Sequence, residues 1–92
     1  MRLRYKRRAL RHLTAIHQHI EQDNPAAADS VLERILHSIG RLEVLPHSGR
    51  KGLRPDTRLL PVPGLPYIVV HRVHGDTVEI IAILHTARNR RT

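Results

Sequence analysis

Apolar residues recur every three or four positions in the first half of this chain and every two in the second, and that change of period divides the sequence. From about Arg7 to Gln22, Leu10, Leu13, Ile16 and Ile20 form the stripe of an amphipathic helix, with arginine and histidine on its other faces. Asp23, Asn24 and Pro25 interrupt it. Asn24 can accept hydrogen bonds from the free amides of a new helix, and Pro25 stands where no amide hydrogen is needed. A second helix carries Ala28, Val31, Leu32, Ile35, Leu36, Ile39 and Leu42 at helical spacing and is predicted to end near Leu45, before Pro46. So short a connection lays the two helices antiparallel, apolar stripes facing each other.

Strand patterns flank this hairpin. Leu3 between Arg2 and Arg4 makes Met1–Tyr5 a short edge strand. Pro46 to Pro55 is a basic loop with two glycines, Gly49 and Gly52. Thr57–Val62 reads as a strand in which Pro61 marks an edge or a bulge. Pro63 and Gly64 suit the centre of a type II turn. Tyr67–Val73 and Thr77–Leu84 are rich in β-branched residues and separated by His74-Gly75-Asp76, a hairpin signal. His85–Thr92 is a polar, basic tail. The sequence therefore predicts an α+β fold, one domain over residues 1–92. It comprises an N-terminal strand, an antiparallel helical hairpin, and antiparallel strands forming a small sheet packed on the helices, with Ile35 and Ile80 at the interface.

Composition narrows what such a fold can do. The 92 residues carry 16 Lys plus Arg against 8 Asp plus Glu, a net charge of +8, which favours acidic partners. Arginine dominates over lysine, and its planar fork suits paired contacts with phosphate or carboxylate. The only aromatic residues are Tyr5 and Tyr67, too few for a base-stacking platform. There is no cysteine, so disulfides and thiolate metal sites are excluded, in keeping with a reducing cytosol. Met1–Arg8 is arginine-rich but no apolar run follows, so no secretory signal is expected. The longest apolar run, Ile80–Leu84, cannot span a bilayer. A soluble cytoplasmic protein with no membrane partner is expected. His12, His17 and His19 are badly spaced for joint ligation on a helix, so neither a metal nor another cofactor is expected.

Several segments, taken in order, resemble a known family. Thr57 through Val70, Arg72-Val73, the strand opening Asp76-Thr77-Val78-Glu79-Ile80 and the ending Leu84-His85-Thr86-Ala87-Arg88-Asn89 are similar to the hairpin strands of ParE-type toxins. Arg7-Arg8-Ala9-Leu10 and Asp23-Asn24-Pro25-Ala26-Ala27-Ala28 resemble the starts of that family's helices. The resemblance, to the ParE/RelE superfamily, implies the toxin half of a type II toxin–antitoxin module, neutralised by a cognate antitoxin protein. ParE-like members inhibit DNA gyrase; RelE-like members enter the ribosome and cleave mRNA.

Residue patterns must choose between these branches. Metal-free RNA cleavage needs a base, an acid and cations for the phosphorane charge. The RelE branch places an arginine directly after the aromatic residue of its central strand, where this chain has Ile68 after Tyr67. That branch often also carries a late tyrosine, and none follows Tyr67 here. A gyrase inhibitor with no catalytic group is the expectation. The alternative is a ribosome-dependent mRNA endonuclease in which His85 serves as acid or base and Arg88 as its cationic helper, since some nuclease members use a late histidine. Candidate target-binding residues are Arg50, Lys51 and Arg54 in the basic loop, Arg58 on the first hairpin strand, and His85 and Arg88 beyond the last strand. Tyr67 and His71, four apart on one strand, are expected to face one side as a partly buried pair.

Overall fold

The computed structural model describes residues 1–87. Its elements run β1 (Arg2–Tyr5), α1 (Arg7–Glu21), α2 (Pro25–Gly40), a 3₁₀ turn (Arg41–Glu43), β2 (Arg50–Lys51), β3 (Thr57–Pro61), β4 (Tyr67–His74) and β5 (Thr77–His85). The break between the helices forms as its residues dictate. The Asn24 side chain accepts from the Ala27 amide at 3.0 Å, with Pro25 at the first helical position. Helix α2 ends earlier than the apolar stripe suggests. After Gly40 the chain tightens into 3₁₀ geometry, and this keeps Leu42 fully buried while Val44 and Leu45 emerge into solvent. In α1 the buried residues are Ala9 and Leu13, whereas Leu10, expected on the stripe, is 49% exposed; on α2, Leu36 is likewise exposed.

The sheet has the order β1-β5-β4-β3-β2. It is mixed: β2 through β5 pair antiparallel, but β1 lies parallel to β5, with Leu3 opposite Val78 and Tyr5 opposite Ile80. Strand β2, inside the segment expected to be all loop, is two residues long, so β3 is effectively an edge where Pro61 sits. The Val62–Leu65 turn closes through the Leu65 amide on the Val62 carbonyl, with Gly64 at φ 74°.

Strand β5 contains a bulge that its continuous apolar sequence concealed. Val70 pairs with Ala82 and His71 with Ile80, leaving Ile81 unpaired. The extra residue reverses the alternation. Val78, Ile80 and Ile83 therefore join the helix-side core, with Ile35, Ile39, Leu42 and Val69, while Ala82 and Leu84 turn to the other face beside Leu59 and Val70. Ile35 and Ile80 are both fully buried, one from each layer, as expected. Fully burying an aliphatic side chain contributes about 1.5–3 kcal/mol, so this interface is the main stabilising element. On the outer face, the buried Glu79 carboxylate is held between Arg72 Nε at 2.7 Å and Lys6 Nζ at 3.2 Å, stitching β4, β5 and the start of α1 together. Those two cations keep the carboxyl below its usual range.

Candidate functional site

The chain between α2 and β3 is a built structure. Ser48 caps the preceding turn, its hydroxyl donating to the Leu45 carbonyl at 2.8 Å. The Gly52 amide donates to the Thr57 carbonyl, and the Thr57 hydroxyl returns a bond to the Arg54 carbonyl at 2.7 Å. Arg58 reaches back to the Gly49 carbonyl at 3.3 Å. Gly49, at φ 91°, passes so close to β3 that a Cβ there would collide with the Leu59 carbonyl oxygen. Between this segment and the ends of β3 and β4 lies a cavity of about 400 Å³, with Lys51, Arg54 and Arg58 on its wall and Asp56 as the one carboxylate among the described residues lining it.

His71 also lines the cavity, with its residue surface entirely buried. Its Nε2 lies 3.1 Å from the Ser48 carbonyl and must carry the hydrogen that donates to it. Nδ1 is buried and has no hydrogen-bond partner among the described residues. Burial makes a second proton on this ring unfavourable, and Arg58 and His47 add to that against the opposing pull of the Ser48 carbonyl. Because the bulge lies on β5 and not β4, Tyr67 and His71 do share the helix-side face, as the spacing predicts. Their surroundings differ: Tyr67 joins the apolar core and His71 the basic cavity.

The candidate residues do not form one site. Lys51 pairs with Arg58 and faces the cavity, while Arg50 pairs with Leu59 and so belongs to the opposite face. His85 pairs with Tyr67 at the other end of β4 and meets its ring edge-on, centroids 5.5 Å apart. His71 is four residues further along β4, about 13 Å at the normal strand rise. His85 Nδ1 accepts the Ala87 amide at 3.1 Å, so this nitrogen is already engaged in closing the strand end. Arg88 lies outside the described residues. The sequence did not mark His71 as a site residue, because its partner Ser48 is 23 residues away and nothing in the local pattern joins them. Among the described residues, no three His, Asp or Glu side chains are grouped to hold a metal ion.

The topology, a helical hairpin packed on a mixed five-stranded sheet among the described residues, is shared with a solved toxin–antitoxin structure. A solved structure described as the chromosomal ParDE TA system from P. aeruginosa superposes with a TM-score of 0.85 and 26% identity, over 92% of this chain and 95% of that one. Residues 3–90 match the family described as the ParE toxin of the type II toxin–antitoxin system, parDE. The chain belongs to this family. Y4kP of Sinorhizobium fredii is 42% identical over 84 residues, covering 91% of this chain and 86% of that protein. Toxin RelE2 of Caulobacter vibrioides is 36% identical over 81 residues, 88% of this chain and 90% of the relative. No helix among the described residues is long and apolar enough to cross a membrane.

Proposed function

We propose that this type II toxin acts by binding and inhibiting DNA gyrase, without catalytic chemistry of its own, and that a cognate antitoxin neutralises it. The observation that carries the reading is the environment of Ile68. At the position where the nuclease branch carries an arginine, Ile68 packs into an apolar cluster with Leu59, Val70, Ala82 and Leu84. The separation of about 13 Å between His85 and the cavity also keeps that histidine and the loop cations from serving one scissile phosphate. Basic charge and the exposed Leu10 and Leu36 of the hairpin suit an antitoxin segment that is both acidic and apolar.

The name of the Caulobacter relative favours a second reading, a ribosome-dependent mRNA endonuclease relying on His85 and Arg88. Either target places the action in the cytoplasm. The test runs gyrase supercoiling beside cleavage of ribosome-bound message, with wild-type and His85→Ala protein. Gyrase inhibition that survives in the variant is the expected result. Clean message cleavage by the wild type, lost by about two orders of magnitude or more in the variant while gyrase is unaffected, establishes the nuclease instead.

A further inference from the structure

We propose that the cavity beneath the 46–58 segment is a docking pocket for a carboxylate carried by an acidic, aliphatic polypeptide segment of the protein target. The inference rests on the reading above that the target is a protein, and it names the surface that meets it.

Charge sets the class of ligand. Lys51, Arg54 and Arg58 converge on a space of about 400 Å³ where, among the described residues, Asp56 is the one carboxylate to balance them. That volume is in the range of small-ligand pockets and takes an acidic side chain readily. An oxyanion in this space replaces mutual repulsion among the cations with charge-assisted hydrogen bonds.

The apolar part of the wall decides between a protein and a nucleic acid. Leu53 lines the cavity while 78% exposed, and Pro46, Pro55 and Val73 extend its aliphatic surface. In the two residues that precede Pro46 in the chain, Val44 is 80% exposed and Leu45 51%. A phosphodiester backbone gains nothing from covering these groups. A polypeptide that sets leucine or valine beside its glutamates buries them while its carboxylates meet the cations. Neither tyrosine lies at the cavity; its rings are the fully buried His71 and the imidazole of His47, a smaller base-stacking surface than a tyrosine platform. The pocket is also organised before any partner arrives, because the bonds among Gly52, Thr57, Arg54, Arg58 and Gly49 hold the loop in place. Little ordering entropy is then lost on binding.

His71 reports occupancy. The charged and titratable groups around it are His47 from the loop, Arg58 from β3, and Lys51, Arg54 and Asp56 across the cavity, with the Ser48 carbonyl as its hydrogen-bond acceptor. A carboxylate seated among them offsets the cations that oppose a second proton on the ring. Occupancy therefore moves the His71 titration to higher pH.

The probes are a short acetylated peptide alternating leucine with glutamate, the same peptide with lysine in place of glutamate, and a single-stranded oligoribonucleotide of matching charge. Each is titrated into the full chain while amide shifts of residues 46–58 and the His71 ring are followed by NMR. The acidic peptide is expected to shift these signals and raise the His71 titration. Lys51→Gln/Arg54→Gln should weaken it about tenfold and Leu53→Ser severalfold, with Arg2→Gln on β1 unchanged. The same cavity variants should reduce gyrase inhibition. Three outcomes overturn the inference: the oligonucleotide shifting the cavity signals at lower concentration than the peptide; no peptide binding; or peptide binding with gyrase inhibition untouched by the variants. If wild-type protein leaves gyrase alone, the functional reading fails first, and the acidic peptide's failure or success at the cavity is read from the NMR arm independently.

Discussion

Acid and a single substitution at His12 should weaken the same joint between α1 and the sheet. Strand β1 ends at Tyr5, opposite Ile80, and the chain turns away into α1. Beyond that point, among the described residues, β5 has no strand on this side. The Ile83 amide, on a residue only 4% exposed, is met instead by His12, whose Nδ1 accepts it at 3.1 Å. This bond requires Nδ1 unprotonated and the hydrogen on Nε2. His12→Ala leaves a buried N–H without a partner, at a cost of about 1–3 kcal/mol. A chain of this length has a total stability on the order of 5–14 kcal/mol, so the loss is large. Asparagine can place an amide oxygen near the Nδ1 position, and His12→Asn should recover most of it.

The pH dependence follows from the same bond. Burial lowers the ring's tendency to take a second proton, and Arg8 and Arg11 lower it further. With the folded pKa below the unfolded value, the unfolded chain binds the proton first. The contribution is therefore complete above the ordinary 6.5 and is lost as pH falls from there through the folded pKa. Urea unfolding of wild type, His12→Ala and His12→Asn at pH 7.5 and 5.5, with exchange protection of the Ile83 amide, measures both effects. Equal midpoints for wild type and His12→Ala at pH 7.5, or unchanged Ile83 protection, would refute this account.

Other perturbations have signs of their own. Gly49→Ala must both hold φ near 91° and push a Cβ against the Leu59 carbonyl, so it should cost at least about 2 kcal/mol in denaturant unfolding. Gly40→Ala, at a helical φ of −58° with nothing within 4 Å of the added carbon, should instead stabilise by up to about 1 kcal/mol in the same assay. Ile80→Asp places an unpaired carboxylate in a fully buried site and should cost several kcal/mol; a soluble variant with a native cooperative transition would show the layering is wrong. The Glu79 carboxyl is held below its ordinary 4.5 by Arg72 and Lys6, so its contribution is present above that pH and lost as pH falls through the lower folded value. Glu79→Gln should flatten that acid limb of the stability curve while leaving the limb due to His12.

Local chemistry was enough to read the helices, the Asn24–Pro25 restart, the Val62–Leu65 turn and the β4–β5 hairpin. In each case the deciding interactions lie within a few residues: an apolar period, a cap, a glycine at positive φ, a short hairpin connection. The +8 charge and the family resemblance were legible for the same reason, being properties of residues in order. Longer-range pairing decided the rest. That β1 lies parallel to β5 depends on where the chain returns after the hairpin and three further strands. Ile80–Leu84 looks uniformly apolar because both faces of the sheet are buried there. Only pairing with β4 shows that Ile81 is the extra residue and that the faces exchange around it. The cavity is the clearest case. Lys51, Arg54 and Arg58 were visible as a basic loop, but His71 joins them only because β4 carries it under the loop to the Ser48 carbonyl. His85, basic and polar in sequence like the others, is carried by the same strand pairing to the opposite end, beside Tyr67. Residue type and period determine which elements form; which side chains meet is set by burial and strand register across the whole chain, and that only the tertiary structure contains.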